Sequence, residues 1–261
     1  MIIFNFFKNI FIHRVLIYEL SKREFIGKYQ GSFLGILWSV FQPILMLGIY
    51  SIVFVLILKS RWGFSGSPQD YVLLLFIGLI IHKMIADILL EGPFLIVKNA
   101  NYVKKVVFPT EVLPLVNVFV CLFQSIISLI IWFGAYYYLN GNIAENTLYL
   151  IFILICFLPL LLGIALLVSS LGVYLRDISQ LTSILSHALL FLTPIFYSIE
   201  AAPALLQNIL YFNPLTFIVE QTRMLIFFDL EPAMNDIFNY FILSSLFLII
   251  CIIIFKRLQY N

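Results

Sequence analysis

The chain has 261 residues, 63% of them hydrophobic and only 11% charged, with a formal net charge of +2. With a mean hydropathy of +1.08, it carries more apolar surface than one soluble core buries, which makes it a polytopic membrane protein. So small a charge, with its basic residues dispersed along the chain, gives no footing for a nucleic-acid partner.

Residues 1–30 are expected to form a retained arm. Basic residues interrupt every apolar run and no small-residue cleavage site follows, unlike a signal peptide. Phe11, Ile12, Val15, Leu16 and Leu20 recur at helical spacing opposite His13, Arg14, Ser21 and Lys22, the pattern of a helix lying along the cytoplasmic interface.

A hydrocarbon core of ~30 Å needs about 20 helical residues, and six apolar runs qualify: 33–58, 71–90, 112–139, 148–175, 181–199 and 237–255. Together they make residues 33–255 a six-span, all-α bundle within a single permease domain, 1–261. No long stretch alternates at period two, as the strands of a membrane barrel would. In the first span Gly35, Ser39, Gln42, Met46 and Tyr50 share one face. In the second, His82, Lys83 and Asp87 need partners at membrane depth. Lys83 and Asp87 stand four residues apart and can satisfy one another, which competes with a proton relay as their role.

Between spans two and three, Asn99-Ala100-Asn101-Tyr102-Val103-Lys104-Lys105-Val106-Val107-Phe108-Pro109 mixes polar and apolar residues. Pro109 ends any helix there, and Thr110 and Glu111 are placed to open span three with a capping oxygen and a favourable charge. Span three has a stripe of its own: Asn117, Cys121, Gln124, Ser128 and Trp132. Arg176 and Asp177 are too costly inside hydrocarbon and mark a turn at the membrane boundary before span five. Span five aligns Ser179, Ser183, Ser186, Leu190, Thr193 and Tyr197, with His187 at the margin. Hydroxyl-rich stripes avoid lipid, and taken alone they fit helix packing as well as a lined pathway. Residues 201–234 remain apolar but are broken at Pro203, Pro214 and Pro232, which predicts short external or re-entrant helices.

Orientation follows from the basic residues retained on the cytoplasmic side. Lys8, Arg14, Lys22, Arg23 and Lys28 in the arm, Lys98, Lys104 and Lys105 between spans two and three, Arg176, and the tail's Lys256 and Arg257 fall on one face. The other has only Lys59, Arg61 and Arg223. Both termini are therefore expected in the cytoplasm, in agreement with an even number of spans. Cys121, Cys156 and Cys251 lie deep in apolar runs, so no disulfide and no metal site is expected. Gly27-Lys28 lacks the earlier glycine and the following Ser or Thr of a phosphate-binding loop, so ATP is not bound by this chain.

Arg176-Asp177-Ile178 at a span start, Thr193-Pro194-Ile195-Phe196-Tyr197-Ser198 at its end and Tyr211-Phe212-Asn213-Pro214 after it resemble the permease subunits of bacterial ABC-2 type exporters. The closest likeness is to the branch that moves O-antigen, capsular chains or teichoic acids. The stretch Gly31 to Ser39 with Gln42-Pro43, and the Asn-Ala and Lys-Lys-x-x-Phe-Pro block, are similar to the same family. The resemblance implies a homodimer of this chain with two separate ATPase subunits, which bind ATP and Mg, in the bacterial cytoplasmic (inner) membrane. Its cargo would be a lipid-linked polysaccharide, as in lipopolysaccharide biosynthesis.

The resemblance also assigns parts. Tyr102, Val103, Lys104, Lys105, Val106 and Phe108 become a cytoplasmic coupling helix docking on the ATPase. Spans one and five enclose the channel. Candidate sugar contacts are Trp38, Tyr50, Phe191, Phe196 and Tyr197, with Ser39, Gln42, Ser183, Ser186 and Thr193 offering polar groups. The short helices between spans five and six lie near a periplasmic exit. His82, Lys83 and Asp87 depart from the family, which often has aromatic residues in this region. Rival readings are an ABC-2 exporter of a lipid or drug and a membrane enzyme acting on lipid-linked sugars. The enzyme would need converging carboxylates or histidines, whereas His13, His82 and His187 are scattered over different elements.

Overall fold

The computed structural model describes residues 2–57, 68–100, 108–141, 147, 149–227 and 233–259, and among them every regular element is helical. The arm is two helices, α1 (Ile2–Ile12) and α2 (Arg14–Gly27), meeting at His13. Phe6 and Ile17 are buried against the bundle, while Phe4, Phe7, Phe11 and Val15 form an exposed apolar stripe. Ser21, which helical spacing puts on the polar face, is instead buried, its hydroxyl donating to the Ile17 carbonyl at 2.7 Å.

Span one is α3 (Trp38–Tyr50), with a tight turn at Gly35–Leu37 before it and a wide π turn at Ser51–Ile57 after it. Gly31 and Gly35, with φ of 85° and 54°, make the left-handed connection from the arm that other residues resist. Span two is α4 (Pro68–Glu91), extended by turns at Gly92–Phe94 and Leu95–Lys98. Span three is α5 (Val112–Asn140) and span four α6 (Tyr149–Tyr174). Next come α7 (Ile178–Leu192), α8 (Ala204–Phe212), α9 (Pro214–Phe227) and α10 (Met234–Gln259).

Among the described residues, five helices are long and apolar enough to cross a membrane, those of spans one to four and α10. The run expected to be a span over 181–199 is a helix of only 15 residues that stops at Leu192. Pro194 is the cause: it disfavours helix in the residue before it, and Thr193 is extended, with φ −104° and ψ 136°. Thr110 does not cap span three. Glu111 is the N-cap residue, and the Thr110 hydroxyl is buried with no hydrogen-bond partner among the described residues.

The α4 helix is the centre of the bundle, buried along most of its length against α5, α6, α7 and α9. The most extensive pairing is α6 with α10. Two glycines of α6 permit close approach. A Cβ on Gly163 would stand 2.8 Å from the Phe247 ring, and one on Gly172 only 2.2 Å from the backbone oxygen of Pro93.

One end of the bundle is tied together by acids. Glu111 accepts from Asn9 of α1 at 2.9 Å and from Lys256 of α10 at 3.0 Å. Glu91 pairs with Lys28 at 2.9 Å and accepts from Asn117 at 3.0 Å. The hydroxyl of Tyr174, at the end of α6, donates to the Leu258 carbonyl. The arm, the end of span two, the start of span three, the end of span four and the tail therefore lie at the same end.

Candidate functional site

The polar stripes of spans one and three converge. Ser39, Gln42, Met46 and Tyr50 of α3 face Gln124 and Ser128 of α5 across a cavity of about 330 Å³ that is open to one side. His82, Lys83 and Asp87 of α4 form another wall, and Leu190 contributes from α7. Pro43 also lines the space; lacking an N–H, it leaves the Ser39 carbonyl without its helical donor.

Most polar groups here are engaged within the protein. Lys83 Nζ donates to both carboxylate oxygens of Asp87, at 2.9 and 3.0 Å. His82 Nε2 donates to the Ser186 carbonyl at 3.0 Å, tying α4 to α7. The Ser39 and Ser128 hydroxyls donate to carbonyls of their own helices, Ile36 and Gln124. The Gln124 amide donates to the Tyr29 hydroxyl at 2.8 Å, tying span three to the residue after Lys28. Elsewhere the span-three stripe is packing: Asn117 is bonded to Glu91, and the buried Trp132 donates to the Leu73 carbonyl at 2.8 Å.

Away from the arm, the cavity continues into aromatic rings. Tyr50 lies 6.3 Å from Phe76 and 6.4 Å from Phe54, centroid to centroid; Phe54 stacks on Phe196 at 6.5 Å, and Phe196 meets Phe191 at 6.0 Å. The Tyr71 hydroxyl donates to the Phe196 carbonyl at 3.0 Å.

Beyond these rings sits a buried cation. Arg223 of α9 is 2% exposed and donates to the carbonyls of Pro194 and Ile195, the latter at 2.8 Å, and to Glu220 at 3.0 Å. It collects the carbonyls released where α7 stops. Asn213 works beside it, donating to the Leu192 carbonyl and the Thr193 hydroxyl and accepting from the Leu215 amide, all at 3.0 Å. The Thr-Pro-Ile-Phe-Tyr-Ser and Tyr-Phe-Asn-Pro segments thus form one interlocked unit.

The candidate contacts named from sequence divide accordingly. Ser39, Gln42 and Tyr50 line the cavity, and Phe191 and Phe196 belong to the aromatic cluster. Trp38 and Ser183 do not line the cavity. Thr193 is fully buried, and Tyr197 donates to the Phe191 carbonyl at 2.7 Å. Ser186 is buried, its carbonyl receiving His82. Arg176 and Asp177 occupy the exposed turn between α6 and α7. Of the docking block, Tyr102, Val103, Lys104, Lys105 and Val106 lie outside the described residues. Phe108 is half-buried against the cluster of Ile17, Val112, Leu115 and Val116, which gives it a partner within the chain.

A family description, ABC-2 type transporter, matches residues 15–227. The chain belongs to the ABC-2 type transporter family. Two relatives from Klebsiella pneumoniae, each an O-antigen export system permease protein RfbA, are 26% identical over 258 residues, covering 94% of this chain and 93% of theirs. A third RfbA, from Myxococcus xanthus, is 25% identical over 238 residues, 87% of each chain. In this ABC-2 transporter the cavity, the aromatic cluster and the Arg223 unit all fall within the matched residues. From sequence alone Arg223 counts only as an external basic residue; the signal for its burial is Glu220, three positions earlier on the same helix.

Proposed function

We propose that the chain is the membrane-spanning subunit of an ATP-driven exporter that moves a lipid-linked polysaccharide of the O-antigen kind across the bacterial cytoplasmic membrane. The observation that carries this reading is the similarity, along nearly their whole length, to relatives named O-antigen export permeases. The cavity supports it: amides and an ion pair set among apolar side chains such as Met46, Leu79 and Ile80 lead into aromatic rings, which suits a chain that presents both hydroxyls and ring faces.

Six crossings complete the reading, with both termini cytoplasmic, the arm on the inner interface and α8 and α9 near the exit. Glu111 bonding both Asn9 and Lys256 supports termini on one side, and the outward stripe of Phe4, Phe7, Phe11 and Val15 supports an interfacial arm. ATP and Mg are bound by a separate ATPase subunit docked on residues 102–108. A second copy of the chain closes the open side of the cavity, giving two permease and two ATPase subunits.

The test is reconstitution with a candidate ATPase subunit from the same organism. ATP-dependent transfer of a lipid-linked glycan into proteoliposomes is expected from the wild type. Val103→Asp should abolish ATPase co-purification. If the wild-type chain captures no ATPase, the exporter reading fails.

A further inference from the structure

Packing does not account for the ion pair in the cavity. A buried pair costs desolvation that apolar residues of similar volume avoid, yet the side chain of Lys83 remains 42% exposed and that of Asp87 17%, both on the cavity wall. Facing them are Gln42 and Gln124. Tyr50 and Phe76 present rings to the same space, whose volume of about 330 Å³ lies at the lower end of ligand cavities.

We propose that Lys83, Asp87 and Gln42 form a binding subsite for one uncharged hexose unit of the translocated glycan, with Tyr50 and Phe76 against the ring. This rests on the exporter reading and deepens it. Each sugar hydroxyl both donates and accepts, so one ring can give to Asp87 while taking from Lys83 and Gln42. Charge selects against acidic units. The Lys83 ammonium already holds its carboxylate in a two-oxygen contact, so a uronate or phosphate would face Asp87 and bring an extra unpaired charge out of water. A neutral polyol changes no charge.

The experiment is saturation-transfer NMR on the full-length permease with its ATPase in nanodiscs, using mannohexaose and a hexuronate oligosaccharide of equal length. Wild type is expected to bind mannohexaose at least about tenfold more tightly than the uronate. The double variant Lys83→Met, Asp87→Asn should lose about tenfold in mannohexaose affinity, and Gln42→Leu about threefold. The exchanged pair, Lys83→Asp with Asp87→Lys, restores an i,i+4 brace but reverses donor and acceptor, so it should assemble and still bind poorly.

Wild-type affinity in the exchanged pair would show a structural brace and overturn the proposal. So would uronate binding equal to mannohexaose, or no sugar signal from wild type. Should the double variant fail to assemble, unchanged affinity in Gln42→Leu, at an exposed position, overturns it. Proteoliposome transport separates the two readings. Intact transport without this selectivity removes only the subsite, and selective binding without transport removes only the exporter.

Discussion

A guanidinium taken out of water keeps donors that need acceptors, and the terminal nitrogens of Arg223 find them in Glu220 and in backbone carbonyls that a helix would otherwise have used. Pro194 stops α7, and Arg223 takes up the freed Pro194 and Ile195 oxygens as well as Glu220. Arg223→Ala should cost about 3 kcal/mol by stranding those groups, lowering Tm of the purified complex by roughly 10 °C. Arg257→Ala, at an exposed tail position, is the comparison and should change stability by less than about 0.5 kcal/mol. Equal shifts in a thermal melt would show that Arg223 organises nothing. Glu111 acts similarly at the other end. Burial pushes its carboxyl up, but bonds from Asn9, its own backbone amide and Lys256 outweigh burial and hold it below the usual carboxylate range. A depressed folded value means the contribution is complete above about pH 4.5 and is lost as pH falls through the lower folded value. Wild type should therefore exceed Glu111→Gln by about 2 kcal/mol at pH 7 and lose that margin on acidification. A Tm difference that stays flat from pH 7 to pH 3 would sink this account.

At the scale of elements, two glycines of α6 make unequal predictions. On Gly172 the obstacle is the Pro93 backbone oxygen, at 2.2 Å, so α6 and the turn after α4 must separate for any side chain to fit. On Gly163 it is the Phe247 ring at 2.8 Å, which can rotate aside. Gly172→Ala should lower Tm several times more than Gly163→Ala, and equal effects in paired melts would contradict the packing. The five long spans were legible in the sequence because apolar runs of about 20 residues leave few alternatives, whereas the run at 181–199 gave only a 15-residue helix. The stripe of Ser39, Gln42 and Tyr50 was legible too, since four-residue steps fix a common helix face. Its meeting with Lys83, Asp87, Gln124 and Ser128 was not: periodicity gives the face of each helix but not which faces meet. Phe108 illustrates the same limit, half-buried against α2 and α5 where an exposed docking residue was expected.

For the whole molecule, parity is the constraint. Five long apolar helices alone would leave the arm and tail on opposite sides, yet Asn9 and Lys256 both reach Glu111. The six-crossing reading needs one more passage between Arg176 and the start of α10, and α7 by itself spans only about 22 Å at 1.5 Å per residue. An extended continuation through Thr193 and Ile195 adds length, but irregular backbone at membrane depth requires its polar groups to be satisfied within the protein. Arg223 and Asn213 supply such partners for the carbonyls past the end of α7, which is what the proposed sixth crossing requires. Asp177 and Glu200 bracket this passage, and both are exposed. In a background lacking Cys121, Cys156 and Cys251, Asp177→Cys should react with a membrane-impermeant maleimide only after cells are opened, and Glu200→Cys in intact cells. Labelling of both under the same condition would mean that the segment turns back, and the chain would need a different route to bring its ends together.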